Sequence, residues 1–268
     1  FNEVLKSHNV NYDFILGYDE NKCLITKEEL LKAKANKYDK VVLFLGKYQN
    51  DESEGSDSKT ISLRPFQIET LDLVKEVFND FLTIIITGSV ASCKHIYENS
   101  TSLIINYLSG EGQSEALYNN IYGLHNPCGR LAETWIDDIK QNPYLSNFLT
   151  RDDYYTYCDD DIYVGYRYYD LNKNGFILPF GFGLSYTTFT YDNFKITYDD
   201  KNINVSLDIK NVGNFDGSEI IQIYVGKENS NIYRPIKELK GFEKQFIKKG
   251  LKETMNIAID IDDIKAYK

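Results

Sequence analysis

Val41-Val42-Leu43-Phe44-Leu45-Gly46 is a continuous apolar run of strand length that ends at a glycine. Without alternation, such a run reads as a strand buried on both faces, the pattern of a parallel sheet covered by helices. Two further runs match it: Thr83-Ile84-Ile85-Ile86-Thr87, and Leu103-Ile104-Ile105-Asn106-Tyr107-Leu108. The segments between them are helical. Upstream, Thr26-Lys27-Glu28-Glu29 is a capping box, and the helix it opens passes through Leu30, Leu31, Ala33 and Ala35. Downstream, Pro65 suits a first helical position, and Ile68, Leu71, Val74 and Phe78 give one apolar stripe. Ala116, Leu117 and Ile121 mark another helix, stopped by Gly123. Strands alternating with helices predict an α/β layer with a mostly parallel sheet.

The period changes near residue 190. Ile203, Val205, Leu207 and Ile209 alternate with polar neighbours, as do Ile221, Ile223 and Val225, and Met255, Ile257, Ile259 and Ile261. Turn signals separate them at Asn211-Val212-Gly213-Asn214 and Asp216-Gly217, so this part reads as an antiparallel β-sandwich. Residues 136–188 are Tyr-, Asp- and Asn-rich and weakly periodic, as expected of a long ordered connection. The expected organisation is an α/β three-layer sandwich over residues 1–150, a connecting segment over 151–188 and an all-β fibronectin-III- or immunoglobulin-like sandwich over 189–268.

Bulk properties narrow the function. A net charge of -10 argues against nucleic acid and anionic membranes, which need clustered Lys and Arg. No apolar stretch approaches membrane-spanning length. Cys23, Cys93, Cys128 and Cys158 form no CxxC pair, so reduced structural thiols are expected, without zinc or a disulfide framework. His8, His95 and His125 have no metal-ligand spacing. Gly110-Glu111-Gly112 and Gly181-Phe182-Gly183 are each half of a dinucleotide loop, and neither completes one. No cofactor is implied. The chain opens at Phe1 without a Met or a basic-then-apolar leader, so a fragment or processed product is expected, cytoplasmic rather than secreted.

In open α/β sheets, chemistry sits beyond the carboxyl ends of the strands. Three loops occupy that position: Lys47 to Ser62, the loop from Gly88-Ser89, and Ser109-Gly110-Glu111-Gly112-Gln113. The first is dense in acids, with Asp51, Glu52, Glu54 and Asp57, and has Gly55 beside Glu54. Crowded carboxylates disfavour each other's ionisation, which lets one of them keep a proton and act as a general acid. Composition alone favours a solvated acidic turn over a catalytic loop. An EF-hand is rejected, because its required twelfth-position Glu would fall on Ile61.

Several segments form a set that goes beyond periodicity. They are Tyr38 to Gly46 followed by Glu52-Ser53-Glu54-Gly55-Ser56-Asp57; Leu63, Pro65 and Gln67 at a helix start; and Asn126-Pro127-Cys128-Gly129-Arg130-Leu131-Ala132-Glu133-Thr134-Trp135. Val164-Gly165-Tyr166-Arg167-Tyr168-Tyr169-Asp170 and Leu178-Pro179-Phe180-Gly181-Phe182-Gly183-Leu184-Ser185-Tyr186-Thr187-Thr188-Phe189 are the most specific of the set, and together these segments resemble the C-terminal half of glycoside hydrolase family 3, in its β-glucosidase/β-xylosidase branch. Lys210-Asn211-Val212-Gly213 and Arg234 to Phe242 resemble the family's fibronectin-III-like domain. The resemblance implies retaining hydrolysis of β-linked glycosides, β-glucosides foremost, by two carboxylates. It places the general acid/base on Glu54, with Glu52 as the alternative, and substrate contacts on Asp57, Glu111 and Gln113. Ser56 and Ser58 stand where the family often has Tyr and Arg, Cys128 replaces a usual Ser and Ala132 a usual Pro.

The resemblance also implies an N-terminal barrel that carries the nucleophilic Asp, and no such barrel is found in these residues. The opening strand of the α/β domain and the last strands of the sandwich are expected to be missing as well, so the chain alone is expected to be inactive. The expected partners are a β-linked oligosaccharide or glycoside, the barrel domain and a second copy of the chain as a homodimer, with no nucleic acid and no membrane. The competing reading is a non-catalytic carbohydrate-binding or scaffold module.

Overall fold

A computed structural model describes residues 1–55, 58, 60–145, 160–172 and 175–265. These form two compact units. One takes in the described residues of 1–116, 135–157 and 175–178, and the other those of 117–134, 158–174 and 179–268.

In the first unit, α1 (Asn2–Ser7) and α2 (Lys27–Lys34) precede β1 (Val42–Gly46), α3 (Pro65–Val77), β2 (Leu82–Ile86), α4 (Lys94–Asn99) and β3 (Ser102–Asn106). The capping box that opens α2 is present: Glu29 N donates to Thr26 Oγ1, and the Glu29 carboxylate accepts from Thr26 N. The three strands are parallel in the order β1-β2-β3. Their apolar content does not bury them equally. Thr83, Ile84 and Ile85 of the central β2 are fully buried, whereas β1 is half-buried except at Leu45, and β3 is half-buried along most of its length. Burial on both faces therefore holds for β2 alone, because among the described residues β1 and β3 each pair on one side only.

The buried stripe of α3 also differs from expectation. It runs Gln67, Thr70, Leu71, Val74 and Val77, while Ile68 is half-buried and Phe78 caps the helix. The polar members explain the shift. Thr70 returns its hydroxyl to Phe66 O, and Gln67 donates to Gly46 O at 2.7 Å, so both are buried without an unpaired group. Trp135 is fully buried in this unit. Its indole N–H donates to the Tyr107 hydroxyl at 3.0 Å and its ring packs edge-on against that of Tyr107. Trp135 also pairs as an antiparallel bridge with Leu178.

In the second unit, α5 (Gln113–Ile121), which starts in the first unit, ends near Gly123 in a left-handed conformation, and α6 (Tyr166–Leu171) follows. The strands β4 (Phe189–Tyr198), β5 (Asn202–Asn211), β6 (Gly217–Val225), β7 (Glu238–Ile247) and β8 (Lys252–Asp260) come next. They form an antiparallel sheet β4-β5-β8 and an antiparallel pair β6-β7. The alternating residues do what their period requires: Val205, Leu207, Ile209, Ile221, Met255, Ile257 and Ile259 form one buried cluster with Ile247. The segment around Arg130 is fastened in the same unit. Leu131 N donates to Phe182 O, Gly181 N donates to Leu131 O, and Arg130 pairs with Glu219 at 2.7 Å, both side chains almost fully buried. A Cβ at Gly183 would fall onto the Gly129 carbonyl, so the glycines of these two segments permit a close backbone approach.

Candidate active site

The register aligns Gly46 with Ile86 and Ile86 with Asn106, so the chain leaves all three parallel strands at one edge of the sheet. The loops after β1, β2 and β3 therefore begin side by side, at the carboxyl edge where open α/β sheets bind ligands.

The loop after β1 is anchored at its root. Lys47 N donates to Ile86 O, and Asp51 N and Glu52 N both donate to Tyr48 O, which closes a tight turn. The Tyr48 hydroxyl donates to Asp19 O, its ring packs edge-on to Phe66, and the Arg64 guanidinium lies over it. Arg64 grips Asp51 with two hydrogen bonds of 2.9 and 2.7 Å. That grip holds the Asp51 carboxyl below the usual carboxylate range.

Glu52 is held differently. Its carboxylate accepts from Gly88 N at 2.5 Å, Thr87 Oγ1 at 3.1 Å and Ser89 Oγ at 3.4 Å, all at the start of the loop after β2. Gly88 leaves the space: a Cβ there would stand 3.3 Å from Glu52 Oε1. A second tie joins the same two loops, from Ser92 N to Ile61 O.

Glu54 is exposed, and no described residue donates to its carboxylate. The neighbouring Gly55 sits at φ +85°, which favours glycine, with nothing within 4 Å of where a Cβ would be. Asp57 lies outside the described residues. In the loop after β3, Glu111 is exposed, while Gln113 opens α5 with its amide turned to Tyr107 O at 3.3 Å. The acids that look crowded in sequence therefore take different surroundings: Asp51 goes to an arginine, Glu52 to three donors, and Glu54 to solvent. Sequence reading missed the Arg64 grip and the Glu52 tether. Neither has a local signal, since the Glu52 partners lie 35 to 37 residues away.

Elsewhere, His95 pairs with Asp72 and His8 with Glu115 at the surface. Among the described residues no three His, Cys, Asp or Glu side chains are grouped to hold a metal, and no helix is long and apolar enough to cross a membrane.

The sequence matches the glycosyl hydrolase family 3 C-terminal domain over residues 19–186, well over half of the chain. The chain belongs to glycoside hydrolase family 3. Residues 219–268 match a fibronectin type III-like domain, as the antiparallel sheets lead one to expect. Over 268 aligned residues the family 3 chain is 36% identical to thermostable beta-glucosidase B of Acetivibrio thermocellus, an alignment covering 97% of this chain and 35% of that protein. It is 30% identical to an exo-alpha-(1->6)-L-arabinopyranosidase of Bifidobacterium breve, covering 98% of this chain and 35% of that one. The crystal structure of a family 3 beta-glucosidase from Bifidobacterium adolescentis superposes with a TM-score of 0.88 at 30% identity, over 97% of this chain and 39% of that one. The chain thus spans about a third of the length of the curated relatives it matches. Family, fold class and the fibronectin-like part all agree with the sequence reading.

Proposed function

We propose that this chain is the part of a retaining β-glycosidase that supplies the general acid/base, and that Glu54 is that group. One observation carries the reading: Glu54 is the carboxylate on the first loop that is exposed and has no partner among the described residues, at the sheet edge where three loops begin. A group that gives and takes a proton must reach the reacting oxygen, and a carboxylate already saturated by protein donors is poorly placed to do so.

The chemistry then runs in two steps. A nucleophilic Asp on a barrel domain forms a bond to the anomeric carbon while the glycosidic C–O bond breaks and Glu54 gives its proton to the departing oxygen. Water then attacks the glycosyl–enzyme ester, Glu54 takes the water's proton, and the Asp leaves as carboxylate. A β-glucoside is the proposed substrate, since beta-glucosidases dominate the relatives, and an α-L-arabinopyranoside is the natural second substrate to assay. Division of the chain at about residues 150 and 188, and pairing with a second copy, belong to the same proposal.

The test uses the full polypeptide that contains this segment. Glu54→Gln is expected to lower hydrolysis of an unactivated aryl β-glucoside by 10²-fold or more, on the order of what general acid/base catalysis contributes. The isolated chain is expected to show no turnover. Turnover of an aryl β-glucoside by the isolated chain, lost in Glu54→Gln, would mean that the nucleophile lies within these residues. Full activity of the Glu54→Gln polypeptide would remove Glu54 from the mechanism.

A further inference from the structure

Two carboxylates, Glu52 and Glu54, stand two positions apart on one loop and have opposite surroundings. The half-buried Glu52 accepts from a backbone N–H and two hydroxyls that belong to the end of β2 and the turn after it, and the exposed Glu54 has no described donor. We propose that Glu52 is a positioning residue, whose carboxylate pins the loop after β1 to the end of β2 and thereby sets where Glu54 stands. The inference rests on the reading of Glu54 as acid/base, and it withdraws Glu52 from that role.

Three features support it. The Glu52 side chain spans from one strand end to the next, so it is the first point beyond the Tyr48 turn where the loop is fixed to the sheet. Gly88 provides the room: any Cβ there would press on Glu52 Oε1 and on Leu108 Cδ1. Thr87 is fully buried, and its one hydroxyl proton is shared between Ser89 O at 2.8 Å and the Glu52 carboxylate at 3.1 Å, which ties the turn after β2 to Glu52. Only one residue separates this pin from Glu54, so releasing the pin moves the acid by a distance that matters for proton transfer. A displacement of about 1 Å can cost about 10²-fold in rate.

A double-mutant cycle in the full polypeptide tests this, read on aryl β-glucosides with good (2,4-dinitrophenyl) and poor (4-methoxyphenyl) leaving groups. Glu52→Ala is expected to lower kcat/KM by about 10²-fold on the poor leaving group and by only a few-fold on the good one, because only the former needs a well-placed acid. Glu52→Gln keeps an acceptor for Gly88 N and is expected to recover most of the loss. In a Glu54→Ala background, Glu52→Ala should cost nothing further, since it acts through a group already gone. Azide should speed Glu54→Ala on the activated substrate, releasing the β-glycosyl azide, and should leave Glu52→Ala unchanged. Multiplying losses in the double variant would reduce Glu52 to general stability. Wild-type rates in Glu52→Ala would leave the tether without a role. Azide rescue of Glu52→Ala but not of Glu54→Ala would make Glu52 the acid/base and overturn both readings. If neither variant is rescued, the Glu54 assignment fails, and the Glu52 proposal falls with its premise. Should Glu52→Ala not fold, Thr87→Val, which removes one donor, goes through the same cycle with a several-fold loss expected on the poor leaving group and none in the Glu54→Ala background.

Discussion

The sandwich and the parallel sheet each contain a polar side chain with several partners, and the two are used differently. Asn211 at the end of β5 is fully buried. Its amide donates to Phe215 O and Ile247 O, and its oxygen accepts from Thr187 Oγ1 and Gly213 N. Nothing of it remains for a ligand, so it knots a strand end, a turn and a neighbouring strand. Glu52, on the loop after β1 of the parallel sheet, is half-buried and ties loop to loop, and its neighbour two residues on is left open to solvent. Saturated polar groups build the scaffold, and an exposed carboxylate stands two positions from a saturated one.

The largest effect expected from pressing on this contrast is in the apolar packing of the α/β unit. Trp135→Ala removes a fully buried indole and should cost about 3–5 kcal/mol in urea unfolding. A loss under about 1 kcal/mol would mean that the unit does not depend on this packing. Next comes the sandwich knot. Asn211→Ala leaves the Ile247 and Phe215 carbonyls without their donor and should cost on the order of 2 kcal/mol in all, within the range for a buried polar group left unpaired. An unchanged denaturation midpoint would erase the distinction between knot and tether.

The smallest effect at neutral pH concerns Asp208, whose carboxyl lies below its ordinary range because Lys252 donates to it, with help from Thr254 and Asn193. A depressed folded-state value stabilises the fold above the unfolded value of about 4, and this stability is lost as pH falls through the folded one. Thermal midpoints measured from pH 7 to pH 2 should therefore drop less steeply in Asp208→Asn than in the parent below about pH 4. Parallel curves would show that Asp208 contributes nothing to the acid limb.

The sequence announces the sandwich core through β5, β6 and β8, because Val205, Leu207, Ile209, Ile221, Met255, Ile257 and Ile259 keep strict alternation. It is silent on β4 and β7. In β4 the register shifts between Asp192 and Lys195, and Tyr191, Phe194, Ile196 and Tyr198 are all exposed, so apolarity no longer reports burial. In β7 the exposed Phe242 and Phe246 and the charges between them break the pattern in the same way. In the parallel sheet, three apolar runs declare three strands but not which one is central, since that depends on pairing order. The place of the first loop, just past the β1 glycine, is legible because it follows from the fold class. The division of labour among its acids is not, because Arg64, Thr87, Gly88 and Ser89 meet them only after folding.

The two ties between the loops after β1 and β2, Glu52 to Gly88 at one end and Ile61 to Ser92 at the other, bracket the short stretch between residues 52 and 61. Residues can be inserted into or deleted from such a bracketed stretch at small entropic cost, while the strands behind it keep their register. The bracket therefore lets the stretch beyond Glu54 change in length without loosening the sheet. Grafting the corresponding stretch of a relative beyond Glu54, between the same two fastenings, should leave the thermal midpoint of the sheet close to the parent's.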